Sequence, residues 1–179
     1  MNHQTLQQSS PARWIVMGVC ACGKSEIGAR LAHQLGWRFS EGDSFHPPAN
    51  VARMAAGIPL SDHDRSGWLL SLQAEIRAAE QSGEGLVLSC SALKRRYRDV
   101  LRQGDAQLRF IHLDGSAALL AARLQARPGH FMPLSLLDSQ LQALEPLGAD
   151  EAGLTVSIAA TPDSITRRIL AAINGTCKS

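Results

Sequence analysis

The chain has 179 residues, of which 45% are hydrophobic, and a formal net charge of +2 at pH 7. This length favours a single domain, and the near-balanced charge excludes the large basic excess that is typical of nucleic-acid-binding proteins. No run of about 18 to 20 apolar residues is present to span a bilayer, and residues 1–12 lack the pattern of a signal peptide. We therefore expect a cytoplasmic protein without a membrane or nucleic-acid partner.

The N-terminal region predicts a tail, a strand and a helix. Residues 1–12 are polar and rich in Gln and Ser, which predicts a flexible tail before a single domain over residues 13–179. The apolar run at 14–17 predicts a strand buried on both faces. From residue 24 apolar side chains recur every four positions, which predicts a helix over 24–35 that ends at Gly36.

Strands and helices continue to alternate along the rest of the chain. Further strands are predicted at 37–40, 86–88, 108–113 and 154–158. Further helices are predicted at 49–56, 66–81, 92–103, 116–126, 134–144 and 164–173. This alternation predicts an α/β fold with a parallel five-stranded sheet and helices on both faces. Ligands of such sheets bind at the carboxyl ends of the strands.

The segment between the first strand and the first helix fits the phosphate-loop pattern G-x-x-x-x-G-K-[ST]. Its residues are Gly18, Val19, Cys20, Ala21, Cys22, Gly23, Lys24 and Ser25. Backbone N–H groups and the helix N-terminus of such a loop surround phosphate oxygens. Lys24 is predicted to contact the β- and γ-phosphates of ATP or GTP, and Ser25 to ligate Mg²⁺. Because switches and motors share this loop, it does not by itself indicate a kinase.

An acid and a histidine follow the second strand. Asp43 is predicted to orient or deprotonate an attacking hydroxyl, although a turn or helix cap is its alternative role. The third strand does not end in the aspartate that often binds Mg²⁺ in these enzymes, so Asp43 is also a candidate for the metal. His46 lies beside two prolines, and a substrate contact and a purely structural role are equally open.

Cations after the second and third strands are candidates to bind an anionic substrate. Arg65 has the planar fork that suits a carboxylate, and its alternative is pairing with the neighbouring aspartates. Arg53 is a weaker candidate of the same kind. Lys94 and Arg98 lie four apart, so we expect both to face the site while Arg95 and Arg102 remain in solvent.

Arg123 and Arg127 share a predicted helix face before the Pro128-Gly129 break, which predicts a lid over residues 123–133. Arginines from a closing segment can stabilise the transferring phosphoryl group and exclude water. His130 in this segment is a further candidate for substrate binding. The alternative is the exposed end of an amphipathic helix.

Five linked motifs of this chain closely resemble those of the bacterial-type gluconokinases. They occupy residues 18–25, 42–50, 57–65, 90–99 and 127–131. The resemblance implies phosphoryl transfer from ATP to D-gluconate with Mg²⁺, on a P-loop fold of the nucleoside-monophosphate-kinase type, in a homodimer. Two departures are Cys20-Ala21-Cys22 in place of the usual Ser-Gly-Ser and Gly67 in place of proline. A positive φ at Ala21 would cost about 1 kcal/mol.

Two alternative functions remain open from the sequence. The chain could phosphorylate another small acid, such as shikimate, on a similar fold. It could also be a nucleotide-binding regulatory module without catalysis, although Lys24, Ser25 and Asp43 argue against this.

Overall fold

The computed structural model describes residues 11–126 and 133–176, so residues 1–10 of the predicted tail lie outside it. The strands are β1 (Arg13–Met17), β2 (Arg38–Glu41), β3 (Leu86–Ser89), β4 (Arg109–Asp114) and β5 (Gly153–Ser157). The helices are α1 (Lys24–Leu35), α2 (Pro48–Ala55), α3 (Asp62–Ser82), α4 (Arg95–Arg102), α5 (Ala117–Gln125), α6 (Leu134–Ala143) and α7 (Pro162–Thr176). The predicted alternation of strands and helices is confirmed.

The five strands form one sheet in the order β2-β3-β1-β4-β5, and every adjacent pair is parallel. The predicted parallel five-stranded sheet is therefore correct. Val16 of β1 is in register with Ser89 of β3, and Ser89 is in register with Glu41 of β2. Because all strands run in one direction, the loops after β1, β2 and β3 meet at one edge of the sheet.

Hydrophobic cores cover both faces of the sheet. Trp14 and Val16 of β1 pack into the core on the side of α1, α5 and α7. Ile15 and Met17 pack into the core on the side of α3 and α4. This alternation explains why β1 reads as one continuous apolar run.

Two helices begin three or more residues away from the predicted position. α3 begins four residues early because Ser61 forms a capping box with Asp64: the Ser61 hydroxyl accepts from the Asp64 N–H, and the Asp64 carboxylate accepts from the Ser61 N–H. α4 begins three residues late because Ala92 has a φ of 43° and Lys94 is extended. Among the described residues, no helix is both long and apolar enough to cross a membrane.

Candidate active site

The phosphate loop connects β1 to α1 with three residues at positive φ. Gly18 has a φ of 144°, Ala21 of 62° and Gly23 of 96°. A Cβ on Gly18 would come within 2.8 Å of the Cys22 Sγ, so only glycine fits there. The positive φ of Ala21, which the sequence left conditional, is present, and it places about 1 kcal/mol of backbone strain in the loop.

Two long side chains contact the loop. The Lys24 Nζ donates a hydrogen bond to the Val19 carbonyl at 2.9 Å. The Cys20 N–H donates to the Oε1 of Gln140 on α6 at 2.7 Å. Sequence reasoning did not single out Gln140, because it lies 120 positions from Cys20 and no local motif marks it.

The oxygen ligands available near the loop fit Mg²⁺. Among the described residues no cluster of three acidic, histidine or cysteine side chains forms a ready-made metal site. Mg²⁺ commonly takes only one or two protein ligands and completes its shell with phosphates and water. Ser25, in the first turn of α1, and Asp43 are both exposed and present a hydroxyl and a carboxylate. β3 ends at Ser89, whose hydroxyl donates to the carboxylate of Glu41.

The loop that carries Asp43 is a 3₁₀ turn, Gly42–Phe45, fixed on both sides of Gly42. The Gly42 N–H donates to the Ser89 Oγ at 3.2 Å, and the Trp68 Nε1 donates to the Gly42 carbonyl at 2.8 Å. A Cβ on Gly42 would lie 2.0 Å from the Ser89 carbonyl oxygen, so glycine is required. The turn leaves Asp43 exposed, and its carboxylate accepts no hydrogen bond from the part of the chain that the structure describes.

His46 stacks on the indole of Trp68, with ring centroids 4.2 Å apart. Its Nδ1 is buried and has no hydrogen-bond partner among the described residues. Burial lowers the pKa of His46, and the charge of Arg65 lowers it further against the opposing effect of Asp43. Because Nδ1 is buried, this neutral imidazole can hydrogen-bond a ligand hydroxyl through Nε2.

Three charged residues act on the thiol of Cys90, directly after β3. The pKa of Cys90 is raised to about 12, first by burial and then by the negative charge of Asp43, while Lys24 and Arg65 oppose the rise. Backbone contacts bring the segments of these residues together: the Gly18 N–H of the phosphate loop donates to the Ser91 carbonyl at 3.3 Å, and Gly42, beside Asp43, contacts both Ser89 and the α3 residue Trp68. The phosphate loop, the turn with Asp43 and the helix with Arg65 therefore meet next to Cys90.

Three cations surround the ring of Tyr97 and form what we call the cationic cluster: Arg65, Lys94 and Arg96, with Asp62. Their charged groups lie 5.6 to 5.8 Å from the ring centroid. Asp62 accepts hydrogen bonds from Tyr97, Lys94 and Arg96, and these bonds, that from Tyr97 first, lower its pKa to about 2. One carboxylate faces three cations, so the cluster has a positive excess.

Arg65 does not pair with the aspartates beside it. Its Nη1 donates to the Leu60 carbonyl at 2.6 Å. Asp64 instead closes the capping box of α3 and lies 3.6 Å from Arg53. Arg53 is thus an exposed partner of Asp64, whereas Arg65 retains donors for a ligand.

The expectation that Arg98 binds substrate is contradicted by its surroundings. Arg98 is 0% exposed and forms an ion pair with Glu151, at 2.7 and 2.8 Å, which we call the buried pair. Its remaining N–H groups donate to backbone carbonyls of Ala92, Leu93, Glu145 and Pro146. No donor of Arg98 remains for a ligand, so the residue is structural.

The predictions for Lys94 and Arg102, that Lys94 shares a helix face with Arg98 and that Arg102 remains in solvent, are wrong, whereas the prediction for Arg95 is correct. Lys94 precedes α4 rather than sharing a helical face with Arg98, and it points to Asp62. Arg102 is not in free solvent, since it donates to Glu151 and Asp99. Arg95 is exposed, as expected, and pairs with Asp150.

Arg123 lies at the end of α5, where its Nη2 donates to the Ile158 carbonyl at 2.8 Å. This contact joins Arg123 to the segment directly after β5. Arg127 and His130, with most of the predicted lid, lie outside the described residues.

Comparison with known proteins indicates the family of this chain. A family model described as shikimate kinase matches residues 20–173. A gluconokinase of Gluconobacter oxydans is 47% identical over 168 residues, which cover 94% of each chain. The crystal structure of a gluconokinase from Sinorhizobium meliloti superposes with a TM-score of 0.86 at 42% identity and covers 93% of this chain and 94% of that one.

A shikimate kinase structure from Aquifex aeolicus superposes less closely. Its TM-score is 0.59 at 14% identity, over 92% of this chain and 98% of that one. A likeness at this identity reports the shared fold alone. The match to the shikimate kinase model therefore places the chain on this kinase fold, and the far higher identity to gluconokinases separates it from shikimate kinases.

Proposed function

The chain belongs to the gluconokinase family, and on that premise we propose that it transfers the γ-phosphoryl group of ATP to D-gluconate, giving ADP and 6-phosphogluconate. The structural observation that supports this most strongly is that the phosphate loop with Lys24, the 3₁₀ turn with Asp43 and the helix with Arg65 meet at one end of the sheet beside Cys90. Lys24 suits a phosphate, Asp43 a hydroxyl and Arg65 a carboxylate. A kinase for a sugar acid needs these three.

The phosphate loop binds the nucleotide in this proposal. Its N–H groups and the N-terminus of α1 surround the phosphates. The Lys24 ammonium group has three donors, so it keeps its hydrogen bond to the Val19 carbonyl and also contacts the β- and γ-phosphate oxygens. Ser25 is the proposed Mg²⁺ ligand and Asp43 a second one. Mg²⁺, when bound, neutralises charge on the β- and γ-phosphate oxygens.

Asp43 orients the acceptor hydroxyl and accepts its proton. The carboxylate accepts no hydrogen bond from the described residues, and the 3₁₀ turn that carries it is fixed by Trp68 and Ser89. His46, a neutral imidazole whose Nδ1 is buried, contributes Nε2 for another hydroxyl of the acceptor. A rigid turn with two such groups positions a polyhydroxylated chain without a conformational cost at each turnover.

The cationic cluster binds the carboxylate of the acceptor. Arg65 is the first candidate because it has no acidic partner within residues 11–126 and 133–176. Lys94 is the second because it shares Asp62 with Arg96 and Tyr97. Charge-assisted hydrogen bonds from a guanidinium are strong and directional. Arg53 is a more distant member of this side, since its only described ionic partner is Asp64.

Arg123, Arg127 and His130 are proposed to act from the lid over residues 123–133. Their function would be to stabilise the transferring phosphoryl group and exclude water. In the described state Arg123 donates to the Ile158 carbonyl, so it would have to exchange this partner for a phosphate.

The decisive experiment measures ADP release with Mg-ATP and D-gluconate, shikimate, AMP or buffer alone. We expect strong stimulation by D-gluconate only, with 6-phosphogluconate detected as product. Stimulation by shikimate instead would overturn the substrate assignment. ATP turnover that is slow and indifferent to every acid would indicate a regulatory nucleotide-binding module.

Asp43→Asn tests the acceptor side within the same assay. Turnover should fall by about a hundredfold or more, the usual contribution of a general base, while ATP binding is retained. Asp150→Asn is the matched control, because Asp150 is an exposed acid that pairs with Arg95 and precedes β5, at the opposite end of the sheet. Unchanged turnover in Asp43→Asn would remove Asp43 from this role.

A cytoplasmic homodimer completes the proposal. The free thiols of Cys20 and Cys22 within the phosphate loop suit a reducing compartment. Light scattering during size-exclusion chromatography tests the dimer, and a monomer across micromolar concentrations would refute it.

A further inference from the structure

Gln140 and Lys24 contact the two ends of one peptide group. The peptide between Val19 and Cys20 presents its carbonyl to the Lys24 Nζ at 2.9 Å and its N–H to the Gln140 Oε1 at 2.7 Å. A trans peptide is planar, and its C=O and N–H point in opposite directions. The orientation that Gln140 imposes on the N–H therefore also sets the direction of the carbonyl that holds Lys24.

The two hydrogen bonds of the Val19–Cys20 peptide strengthen each other. The positive charge of Lys24 polarises the peptide carbonyl, which makes the N–H on the other side a better donor to Gln140. The peptide also directly precedes Ala21, whose φ of 62° is strained for a residue with a Cβ. An outside acceptor on the Cys20 N–H keeps this part of the loop in the conformation that phosphate binding needs.

α6 places Gln140 rigidly enough for this task. Leu136 and Leu137 of the same helix are 6% and 2% exposed, and Leu137 packs in the core on the α1 side of the sheet. Gln140 follows Leu137 by three positions, so the two residues lie on one helical face. The half-buried amide is thus carried by an anchored helix.

We propose that Gln140 is a positioning residue for the phosphoryl-transfer site: it orients the Val19–Cys20 peptide and, through it, the ammonium group of Lys24. The inference rests on the proposed function insofar as Lys24 contacts ATP. Gln140 acts through Lys24 and touches neither acceptor nor its carboxylate-binding cations. Its loss should weaken ATP binding and leave the KM for the acceptor unchanged.

Gln140→Met removes the acceptor and keeps most of the side-chain length. The Kd of Mg-ATP, measured by calorimetry without any acceptor, should rise about tenfold, the equivalent of one lost hydrogen bond. Gln142→Met is the matched control, because Gln142 is exposed two positions along the same helix and should bind ATP like the wild type. An unchanged Kd in Gln140→Met would overturn the proposal.

A double-mutant cycle separates positioning from a general structural effect. In a Lys24→Met background, Gln140→Met should change the Kd of Mg-ATP by less than twofold, because the group that Gln140 positions is gone. If Gln140→Met raised the Kd of Mg-ATP by the same factor with and without Lys24→Met, the link to Lys24 would be overturned. Gln140→Ala repeats the cycle if the methionine disturbs the packing of α6, which the unfolding midpoint without nucleotide reports.

The outcome is distinguishable from a failure of the proposed function. A wild-type protein that binds no ATP would overturn both proposals. A wild-type protein that binds ATP and phosphorylates an acid other than D-gluconate would overturn only the substrate assignment, and the cycle on Gln140 would still support or refute this inference.

Discussion

The buried pair and the cationic cluster both include an arginine of α4, Arg98 and Arg96 respectively, yet their charge balances differ. In the buried pair, Arg98 is 0% exposed and every N–H group has a partner. In the cationic cluster, Lys94 and Arg96 share Asp62, which is itself exposed, and the Arg65 guanidinium donates only to the Leu60 carbonyl among the described residues. An arginine whose N–H donors all have partners within the protein stabilises the fold, whereas an arginine with donors left over is available to a ligand.

The comparison predicts its largest effect for Arg98→Met. Loss of one partner of a buried ion pair should reduce the free energy of unfolding by about 3–5 kcal/mol, since Glu151 and four backbone carbonyls lose a donor. The KM for D-gluconate of the protein that remains folded should be unchanged. Urea unfolding and steady-state kinetics measure the two quantities.

Arg95→Met is the matched control for this prediction. Arg95 lies on the same helix and pairs with Asp150, but both side chains are about half exposed or more, at 48% and 65%. An exposed pair contributes about 0–1 kcal/mol, so this variant should unfold almost like the wild type. If Arg98→Met instead raised the KM for D-gluconate at normal stability, the structural assignment of Arg98 would be wrong.

Glu151 makes the stability contributed by the buried pair sensitive to acid. Burial raises its pKa, but hydrogen bonds from Arg98 and Arg102 outweigh burial and lower the pKa to about 2, from an ordinary 4.5. The stabilisation is therefore fully present above about pH 4.5 and lost as the pH falls towards 2; a shift of this size corresponds to about 3 kcal/mol.

Urea unfolding between pH 7 and pH 3 tests this for the wild type and Glu151→Gln. We expect the wild type to be more stable at pH 7 and the difference between the two proteins to shrink on acidification. A difference that stays constant over this range would show that Glu151 does not titrate with folding.

The two charge clusters also show what the sequence could and could not predict. The phosphate loop was found because its chemistry lies within eight consecutive residues. Lys94 and Arg98 appeared equivalent because they are four apart, and only the turn at Ala92, with a φ of 43°, separates one from the helix of the other. The partner of Arg98 lies 53 positions away, and no local pattern could indicate it.

Other residues of the site divide in the same way. The capping box of Ser61 and Asp64 is a local signal that would have predicted the start of α3 correctly. Gln140 contacts Cys20 from 120 positions along the chain, so its role depends on how α6 packs. Local motifs therefore identified the nucleotide end, and tertiary packing decided which cations remain available.

Arg65→Met tests the cationic cluster on activity. Loss of a charge-assisted hydrogen bond, about 1.5–3 kcal/mol, should raise the KM for D-gluconate by about ten- to a hundredfold with little effect on the KM for ATP. Stability should change by less than in Arg98→Met, because Arg65 makes a single described hydrogen bond, to Leu60. Arg77→Met serves as the control, because Arg77 is an exposed arginine about three turns further along the same helix.

A large loss of stability in Arg65→Met with an unchanged KM would reverse the comparison, because Arg65 would then be the structural arginine. An equal rise in KM for both substrates would place Arg65 on the phosphate instead of the carboxylate. Steady-state kinetics with each substrate varied separately distinguish these results.

Gly67→Ala should have the smallest effect, and it tests whether the helix that presents Arg65 is limited by its own backbone. Gly67 lies inside α3 between Arg65 and Trp68, and a Cβ there would meet nothing within 4 Å. Glycine within a helix costs about 0.5–1 kcal/mol relative to alanine, so Gly67→Ala should raise the free energy of unfolding by that amount. Since the new methyl group points into open space, the KM for D-gluconate should not change. A rise in KM without a gain in stability would instead mean that the helix must adapt at Gly67 when Arg65 contacts the acceptor.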